Sequence, residues 1–216
     1  MKLKVDRSET LRYLGYKGGH IPEDVEKMLT ECMEKIEEIA NIRYVYKVFN
    51  VDEVALKGND IAAHLENCQN CIFMAATIGI ETDDFVKRMQ LKDMTRAVIL
   101  DACGSSAIEN VCTQVEEILR EQFGYKGMYV TGRFSPGYGD MPVSQQRELC
   151  ELIDAQRKIG VYITDSNMII PVKSVTAVLG ISKTEPKTKT EKNSNCDSCN
   201  LAENCNYKNG GTECEK

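Results

Sequence analysis

The sequence predicts an α+β fold, with one domain over residues 1–182 and a different kind of segment after it. Apolar residues make up 42% of the chain, which is enough to bury a sizeable core. Segments with helical periodicity and segments with strand-like patterning interleave, but without the regular strand–helix–strand order of a doubly wound parallel sheet. From 183 to 192 no residue is apolar, so we expect a flexible linker over 183–194 and a cysteine-rich tail over 195–216.

The first half of the domain is expected to begin with an extended segment and then to alternate helices with strands. Pro22 suits the first turn of a helix, and Glu23 and Asp24 suit the positive end of its dipole. A buried strand is expected from Cys71, because the run up to Gly79 is almost entirely apolar. The expected elements are a helix over 22–40, a strand over 43–51, a helix over 60–67, a strand over 71–79 and a helix over 81–89.

The second half is dominated by one long helix, expected over 93–122. Gly104 lies in its middle among small residues and costs about 1 kcal/mol relative to alanine. A close neighbour would explain it, either the backbone of another element or a ligand. Gly124 is expected to end the helix as its C-terminal cap. The expected elements after it are a strand over 127–131, a helix over 144–155 and short strands around 161 and over 175–181.

Residues 132–142 form a tight loop between a strand and a helix. Three glycines and two prolines among these eleven residues cannot continue either element. Arg133 brings planar donors that suit a carboxylate or a phosphate, and Tyr138 brings an aromatic face and a hydroxyl. Composition alone leaves two interpretations open, a cradle for a small molecule or an ordinary turn with a surface arginine.

Charge and hydropathy limit the kinds of partner and compartment. The net charge is −6, which argues against nucleic acid and anionic membranes as main partners. No apolar run reaches the length of a membrane span, and the N-terminal residues lack the apolar core of a signal peptide. We therefore expect a cytoplasmic protein without a membrane or nucleic-acid partner.

Residues 133–138 carry the pattern Arg-x-x-Pro-Gly-Tyr directly after a strand. This pattern resembles the AdoMet-binding loop of the activation domain of cobalamin-dependent methionine synthase. The segments 100–109, 159–166 and 170–175 resemble the same family, and the likeness covers residues 92–181. The resemblance implies a single domain with a curved mixed or antiparallel sheet and flanking helices.

The resemblance also implies a function. In that family an electron donor reduces oxidised cobalamin, and AdoMet bound to the activation domain methylates it, which gives methylcobalamin and AdoHcy. We therefore expect AdoMet-dependent reactivation of a separate cobalamin-dependent methionine synthase or another corrinoid protein, with a flavodoxin- or ferredoxin-type electron donor. The chain has no Asp-x-His-x-x-Gly motif for ligating cobalamin, so the cobalamin is expected on the partner.

The implied site gives residues a role in AdoMet binding and none in acid–base catalysis. Arg133 would bind the AdoMet carboxylate, and Tyr138 would pack on the nucleoside. Glu109 would face the positive end of the ligand, with a glutamate on a helix surface as the alternative interpretation. The backbone expected to meet the adenine is that of Ser135, Pro136 and Gly137. The chain departs from the family at 139–142, which read Gly-Asp-Met-Pro instead of a cysteine-containing segment.

The tail carries four cysteines in the pattern Cys-x2-Cys-x5-Cys-x8-Cys. Disulfides are rare in reducing compartments, so four clustered thiolates favour zinc or an iron–sulfur cluster, and a disordered tail with unused thiols is the alternative. A second candidate function follows: an iron–sulfur or zinc-containing activator or scaffold module for a corrinoid methyltransferase, without methyl transfer of its own. The expected ligands are Cys196, Cys199, Cys205 and Cys214.

The other cysteines and the two histidines are expected to be structural. Cys68 and Cys71 form a Cys-x2-Cys pair, but the pattern around them lacks the helix N-terminus that a redox pair needs. His20 and His64 are the only histidines, which excludes a histidine-rich metal site. The remaining cysteines, expected in the core, are Cys32, Cys103, Cys112 and Cys150.

Overall fold

The computed structural model of the chain describes residues 1–16 and 21–184. Within them the α-helices are α1 (Arg7–Tyr13), α2 (Glu23–Ile39), α3 (Asn59–His64), α4 (Ile80–Gln90), α5 (Met94–Gly124), α6 (Gln145–Ile153) and α7 (Ala155–Ile159). The strands are β1 (Arg43–Asn50), β2 (Asn70–Thr77), β3 (Tyr129–Val130), β4 (Tyr162–Ile163), β5 (Ile169–Ile170) and β6 (Ser174–Ser182).

The main sheet has four strands in the order β1-β2-β6-β3, and every pair in it is antiparallel. The long strands β2 and β6 pair along their length, from Asn70 opposite Ile181 to Thr77 opposite Ser174. A second, two-stranded sheet joins β4 to β5. The predicted α+β class is therefore confirmed, and of the two sheet types left open the antiparallel one is observed.

Helices cover both faces of the main sheet. Along β2, Ile72 and Met74 face a core shared with α1, α2, α4 and α5, which we call the α5-side core. Cys71 and Phe73 face a second core shared with α3, α6 and α7, the α6-side core. Burial on both faces explains why β2 reads as an almost continuous apolar run in the sequence.

Helix α5 is the longest element, with 31 residues and a length of about 46 Å. Its small-residue stretch is buried, and a Cβ added to Gly104 would lie 3.1 Å from Lys173 Cε and 3.2 Å from Lys173 Cγ. The close neighbour of Gly104 is thus the aliphatic stem of a lysine side chain. The close neighbour expected from the sequence is therefore present, but it is a side chain and not a backbone segment.

Strand β5 was not expected from the sequence, and the structure differs from the expected elements in three further places. The N-terminal segment contains helix α1, which Asp6 caps by accepting a 2.9 Å hydrogen bond from the backbone N–H of Glu9. The helix expected over 144–155 is broken at Asp154, which has φ 59°. Gly124 is the last residue of α5, but the positive φ of 68° belongs to Gly127, because Tyr125 continues the right-handed turn.

Several expectations concern residues outside the described ranges. They are His20, the cysteine tail over 195–216 with its four predicted ligands, and all but the first two residues of the linker over 183–194. Among the helices of the described residues, none is long and apolar enough to cross a membrane.

Candidate functional site

The entrance of the 132–142 loop is fixed to strand β6. The backbone N–H of Thr131 donates to the carbonyl of Gly180 at 3.0 Å, and the N–H of Gly180 donates to Thr131 Oγ1 at 2.7 Å. Three residues after Thr131, Phe134 exchanges backbone hydrogen bonds of 2.9 and 2.8 Å with Val178. The first residues of the loop therefore continue the edge of the sheet beyond β3.

The far end of the loop is fixed to the N-terminus of α3. Asp140 accepts hydrogen bonds from the backbone N–H groups of Asn59 at 2.7 Å and Asp60 at 3.0 Å, and its own N–H donates to Asp60 Oδ2 at 3.1 Å. The N–H groups of Asp60 and Asn59 lower the pKa of Asp140. A Cβ at Gly139 would collide with Asp60, and one at Gly58 would lie 2.7 Å from Asp140 Oδ1. This reciprocal cap gives a structural role to the segment in which the chain departs from the family pattern.

Arg133 and Phe134 point to opposite faces of the sheet edge. Phe134 packs in the α6-side core. Arg133 reaches the other way to α5, where its Nη2 lies 3.0 Å from Glu109 Oε2 and its Nε donates to Glu116 Oε1. Its side chain is 21% exposed. The structure therefore brings together Arg133 and Glu109, the two charged residues assigned to the site from the sequence.

The electrostatics around Arg133 keep it charged. Burial acts to lower its pKa, but Cys112, Glu109 and Glu116 outweigh that effect and raise the pKa above its ordinary value. A guanidinium that is held charged and partly open to solvent can bind a carboxylate or a phosphate through two parallel hydrogen bonds.

A polar stripe runs along α5 from this point. It consists of Asp101, Ser105, Glu109 and Glu116, spaced four or seven residues apart and so on one face of the helix. Arg133 contacts the stripe at one end, through Glu109 and Glu116. At the other end Lys173, only 7% exposed, lies 2.8 Å from Asp101 Oδ1 and donates to Ser105 Oγ at 2.9 Å.

A groove of about 250 Å³ opens at the lysine end of this stripe. Its polar walls include Asp101 and Ser105, and its apolar walls come from α5 and from the end of α1. The apolar lining residues are Tyr13, Leu14, Met94, Ala97, Val98 and Ala102.

The tip of the loop combines an exposed aromatic ring with a tight backbone. Tyr138 is 53% exposed, and its ring meets the edge of Phe134 with 6.5 Å between centroids. The N–H of Gly137 donates to the carbonyl of Met141 at 2.9 Å, and the N–H of Tyr138 donates to the carbonyl of Ser135 at 3.0 Å. These two amides are used inside the loop, so neither N–H group is available to a ligand in this arrangement.

His64 lies behind the loop entrance and supports it. Its Nε2 is 2.9 Å from Thr131 Oγ1 and 3.1 Å from the carbonyl oxygen of Gly132. Its ring packs against Phe134 with 5.4 Å between centroids. Burial lowers the pKa of His64, so the imidazole is neutral at pH 7.

Sequence reasoning missed Glu116 and Thr131. Glu116 lies between Cys112 and Leu119 on an apolar face of α5, and a glutamate at such a buried position normally has a charged partner. That signal was present in the sequence, but it does not name the partner. Thr131 carried no signal, because its two backbone contacts depend on the pairing of β3 with β6.

The cysteines of the described residues are buried thiols or, for Cys68, partly buried, which agrees with their expected structural role. Burial raises the pKa of Cys32 and of Cys71 to about 11, so neither is an activated nucleophile. Within the described residues no group of three or more His, Cys, Asp or Glu side chains is arranged to hold a metal ion.

Comparison with known proteins gives the family and an independent view of the fold. The crystal structure of the MetH reactivation domain bound to AdoHcy superposes with a TM-score of 0.62 at 14% identity, over 87% of this chain and 76% of that one. No curated protein sequence matches the chain. The family described as vitamin B12 dependent methionine synthase, activation domain, matches residues 59–189, which include the whole loop, the polar stripe and most of the sheet. The chain therefore belongs to the family of the activation domain of vitamin B12-dependent methionine synthase.

Proposed function

We propose that the domain binds AdoMet at the junction of the 132–142 loop with α5. The observation that carries this proposal is the 3.0 Å ion pair between Arg133 and Glu109 at the entrance of the loop. The amino-acid end of AdoMet is a zwitterion, and a partly buried ion pair that solvent still reaches can open to receive one. The carboxylate then takes the place of Glu109 on Arg133, and the ammonium group takes the place of Arg133 on Glu109. The exchange leaves each buried charge with an opposite partner, which keeps its cost low.

The rest of the ligand would lie against the loop. The carbonyl groups around Ser135, Pro136 and Gly137 suit the amino group of adenine, which is a hydrogen-bond donor. The exposed ring of Tyr138 suits an aromatic or ribose face. When bound, AdoMet supplies a methyl group on a sulfonium centre, and the chain's own task is to hold that centre in one orientation.

The acceptor of the methyl group would be cobalamin carried by a separate partner protein. The family to which the chain belongs supports cobalamin as the acceptor. An electron donor of the flavodoxin or ferredoxin type would supply the electron that reduces the oxidised cobalt, and the reduced cobalt would then accept the methyl group. On this proposal the product on the domain is AdoHcy and the product on the partner is methylcobalamin.

Isothermal titration of AdoMet and AdoHcy into the full chain tests the proposal. We expect micromolar binding, and we expect Arg133→Ala to weaken it by about a hundredfold, equivalent to about 2.7 kcal/mol. Arg157→Ala is a matched control, because Arg157 is an exposed arginine that pairs only with Asp154 among the described residues. Equal affinities for wild type and Arg133→Ala would refute the assignment of Arg133. Methylation of a reduced corrinoid protein is the next assay once binding is established.

A second candidate function rests on the cysteine pattern at 196, 199, 205 and 214. Four thiolates at this spacing would hold zinc or an iron–sulfur cluster and make the chain an activator or scaffold module for a corrinoid methyltransferase. Metal analysis of anaerobically purified full chain tests this function. One zinc without colour favours a scaffold, iron with sulfide favours an electron relay, and absence of both metals refutes the metal-binding tail.

A further inference from the structure

The carboxylate of Glu116 is shared by two arginines and is almost fully buried. Its Oε2 lies 2.6 Å from Nη2 of Arg120, and its Oε1 accepts from Nε of Arg133. The Glu116 side chain is 11% exposed, whereas the Glu109 side chain is 41% exposed. A buried carboxylate between two cations is costly to uncover, so of these two acidic contacts of Arg133 the one with Glu109 is the easier to break.

The two glutamates hold different parts of the Arg133 guanidinium. Glu116 takes Nε, and Glu109 takes one position on Nη2. No oxygen atom of a described residue accepts a hydrogen bond from Nη1. A guanidinium offers a carboxylate two paired edges, the Nε–Nη2 edge and the Nη1–Nη2 edge. With Nε already occupied, only the Nη1–Nη2 edge can receive an incoming carboxylate through two parallel hydrogen bonds.

We propose that Glu116 is a positioning residue for the AdoMet site, and this inference rests on the function proposed above. The carboxylate of Glu116 holds the Nε atom of Arg133. The Nη1–Nη2 edge of Arg133 is thereby presented to the carboxylate of the ligand. Glu116 does not contact the ligand. It sets the rotamer of Arg133 before binding, so little side-chain entropy of Arg133 is lost when the ligand binds. Glu109, in contrast, would contact the ligand directly, because it gives up its ion pair with Arg133 and pairs with the ammonium group of AdoMet instead.

This role can be separated from a general effect on folding by two ligands that differ in one group. Decarboxylated AdoMet keeps the ammonium, the sulfonium and the nucleoside but lacks the carboxylate that Arg133 would bind. A residue that acts by presenting Arg133 to the carboxylate should therefore weaken the binding of AdoMet more than the binding of decarboxylated AdoMet. The quantity to measure is the dissociation constant of decarboxylated AdoMet divided by that of AdoMet, which we call the carboxylate selectivity.

The experiment is calorimetric titration of both ligands into the full chain, for wild type, Glu116→Ala, Glu116→Gln and Glu117→Ala. We expect Glu116→Ala to reduce the carboxylate selectivity about tenfold, the loss of one charge-assisted hydrogen bond. Glu116→Gln keeps an oxygen that can accept from Nε and should recover part of that loss. Glu117 is an exposed glutamate next to Glu116 on α5, so its alanine variant should match wild type.

Each outcome decides between the two proposals. If wild type binds AdoMet and both Glu116 variants keep the wild-type selectivity, the positioning role is refuted while the AdoMet site stands. An equal loss of both ligands in the Glu116 variants also refutes it, because that result indicates a general disturbance of the site. If Glu116→Ala does not fold, as judged by circular dichroism, the Glu116→Gln variant decides alone. Absence of AdoMet binding by wild type overturns the proposed function and this inference with it.

Discussion

Replacing Gly104 by alanine should have opposite effects on stability depending on whether Lys173 is present. In a helix interior this replacement normally stabilises by about 1 kcal/mol, because glycine loses more backbone entropy on folding. Here the new Cβ would lie 3.1 Å from Lys173 Cε, closer than carbon atoms normally approach. The lysine stem must move, which disturbs its contacts with Asp101 and Ser105. Overpacking of this kind costs about 1–3 kcal/mol, so the net effect in the wild-type chain should be a loss of about 1 kcal/mol.

In a Lys173→Ala background the obstructing side chain is gone. Gly104→Ala should then stabilise by about 1 kcal/mol, and the coupling between the two positions should be about 2 kcal/mol. Urea unfolding of the four chains of this double-mutant cycle, followed by circular dichroism, measures that coupling. Gly124→Ala is the matched control, since Gly124 is also helical and a Cβ there would meet nothing within 4 Å. Its effect should be the same in both backgrounds. A Gly104→Ala effect that is also the same in both backgrounds would show that Lys173 is not the reason for the glycine.

Three further outcomes follow from single contacts. Thr131→Val removes a buried oxygen that accepts from the N–H of Gly180, and it should lower the free energy of unfolding by about 1–3 kcal/mol in urea titrations; an unchanged midpoint would contradict the role of that contact. Asp140 has a lowered pKa in the folded chain, so its contribution is present above its unfolded pKa and is lost as the pH falls through the folded one. The difference in melting temperature between wild type and Asp140→Ala should therefore be constant from pH 7 to about 5 and should shrink as the pH falls below about 4. A difference that persists in acid would mean that the charge of Asp140 is not responsible for it. The thiols of Cys32 and Cys71, with pKa about 11, should resist alkylation at pH 7 until the chain unfolds, which peptide mapping by mass spectrometry can show; rapid labelling of either in the native chain would contradict their burial.

The long strands and most helices could be predicted from the sequence because their patterns are local, whereas the order in which the strands pair is not local. Strand β2 is apolar on both faces, and the sheet does bury both. Helix α1 could not be found this way. It has only seven residues, and it is held by contacts with distant parts of the chain, such as the hydrogen bond from the Asp6 N–H to Ser106 Oγ at 3.0 Å. Short helices of this kind depend on tertiary packing more than on their own periodicity.

The candidate site was predictable only in part, for a related reason. The family resemblance indicated Arg133 and Glu109, and the structure places them in contact. Helical spacing puts Glu116 on the same face of α5 as Glu109, but spacing cannot say which element covers that face. Only the pairing of β3 with β6 brings Arg133 over Glu116. The role of each of these residues in ligand binding stays a prediction until affinities are measured.

The double attachment of the 132–142 loop, to β6 at its entrance and to α3 at its far end, has a consequence for the thermodynamics of binding. A loop that is already hydrogen-bonded at both ends loses little conformational entropy when a ligand arrives. Hydrogen exchange of its hydrogen-bonded amides, such as those of Phe134 and Asp140, should accordingly be slow in the ligand-free chain and change little on binding. The same attachment links the loop to residues about eighty positions earlier in the chain, through Asn59 and Asp60. A chain beginning after α3 would keep the Arg-x-x-Pro-Gly-Tyr pattern and lose the support that holds it in shape.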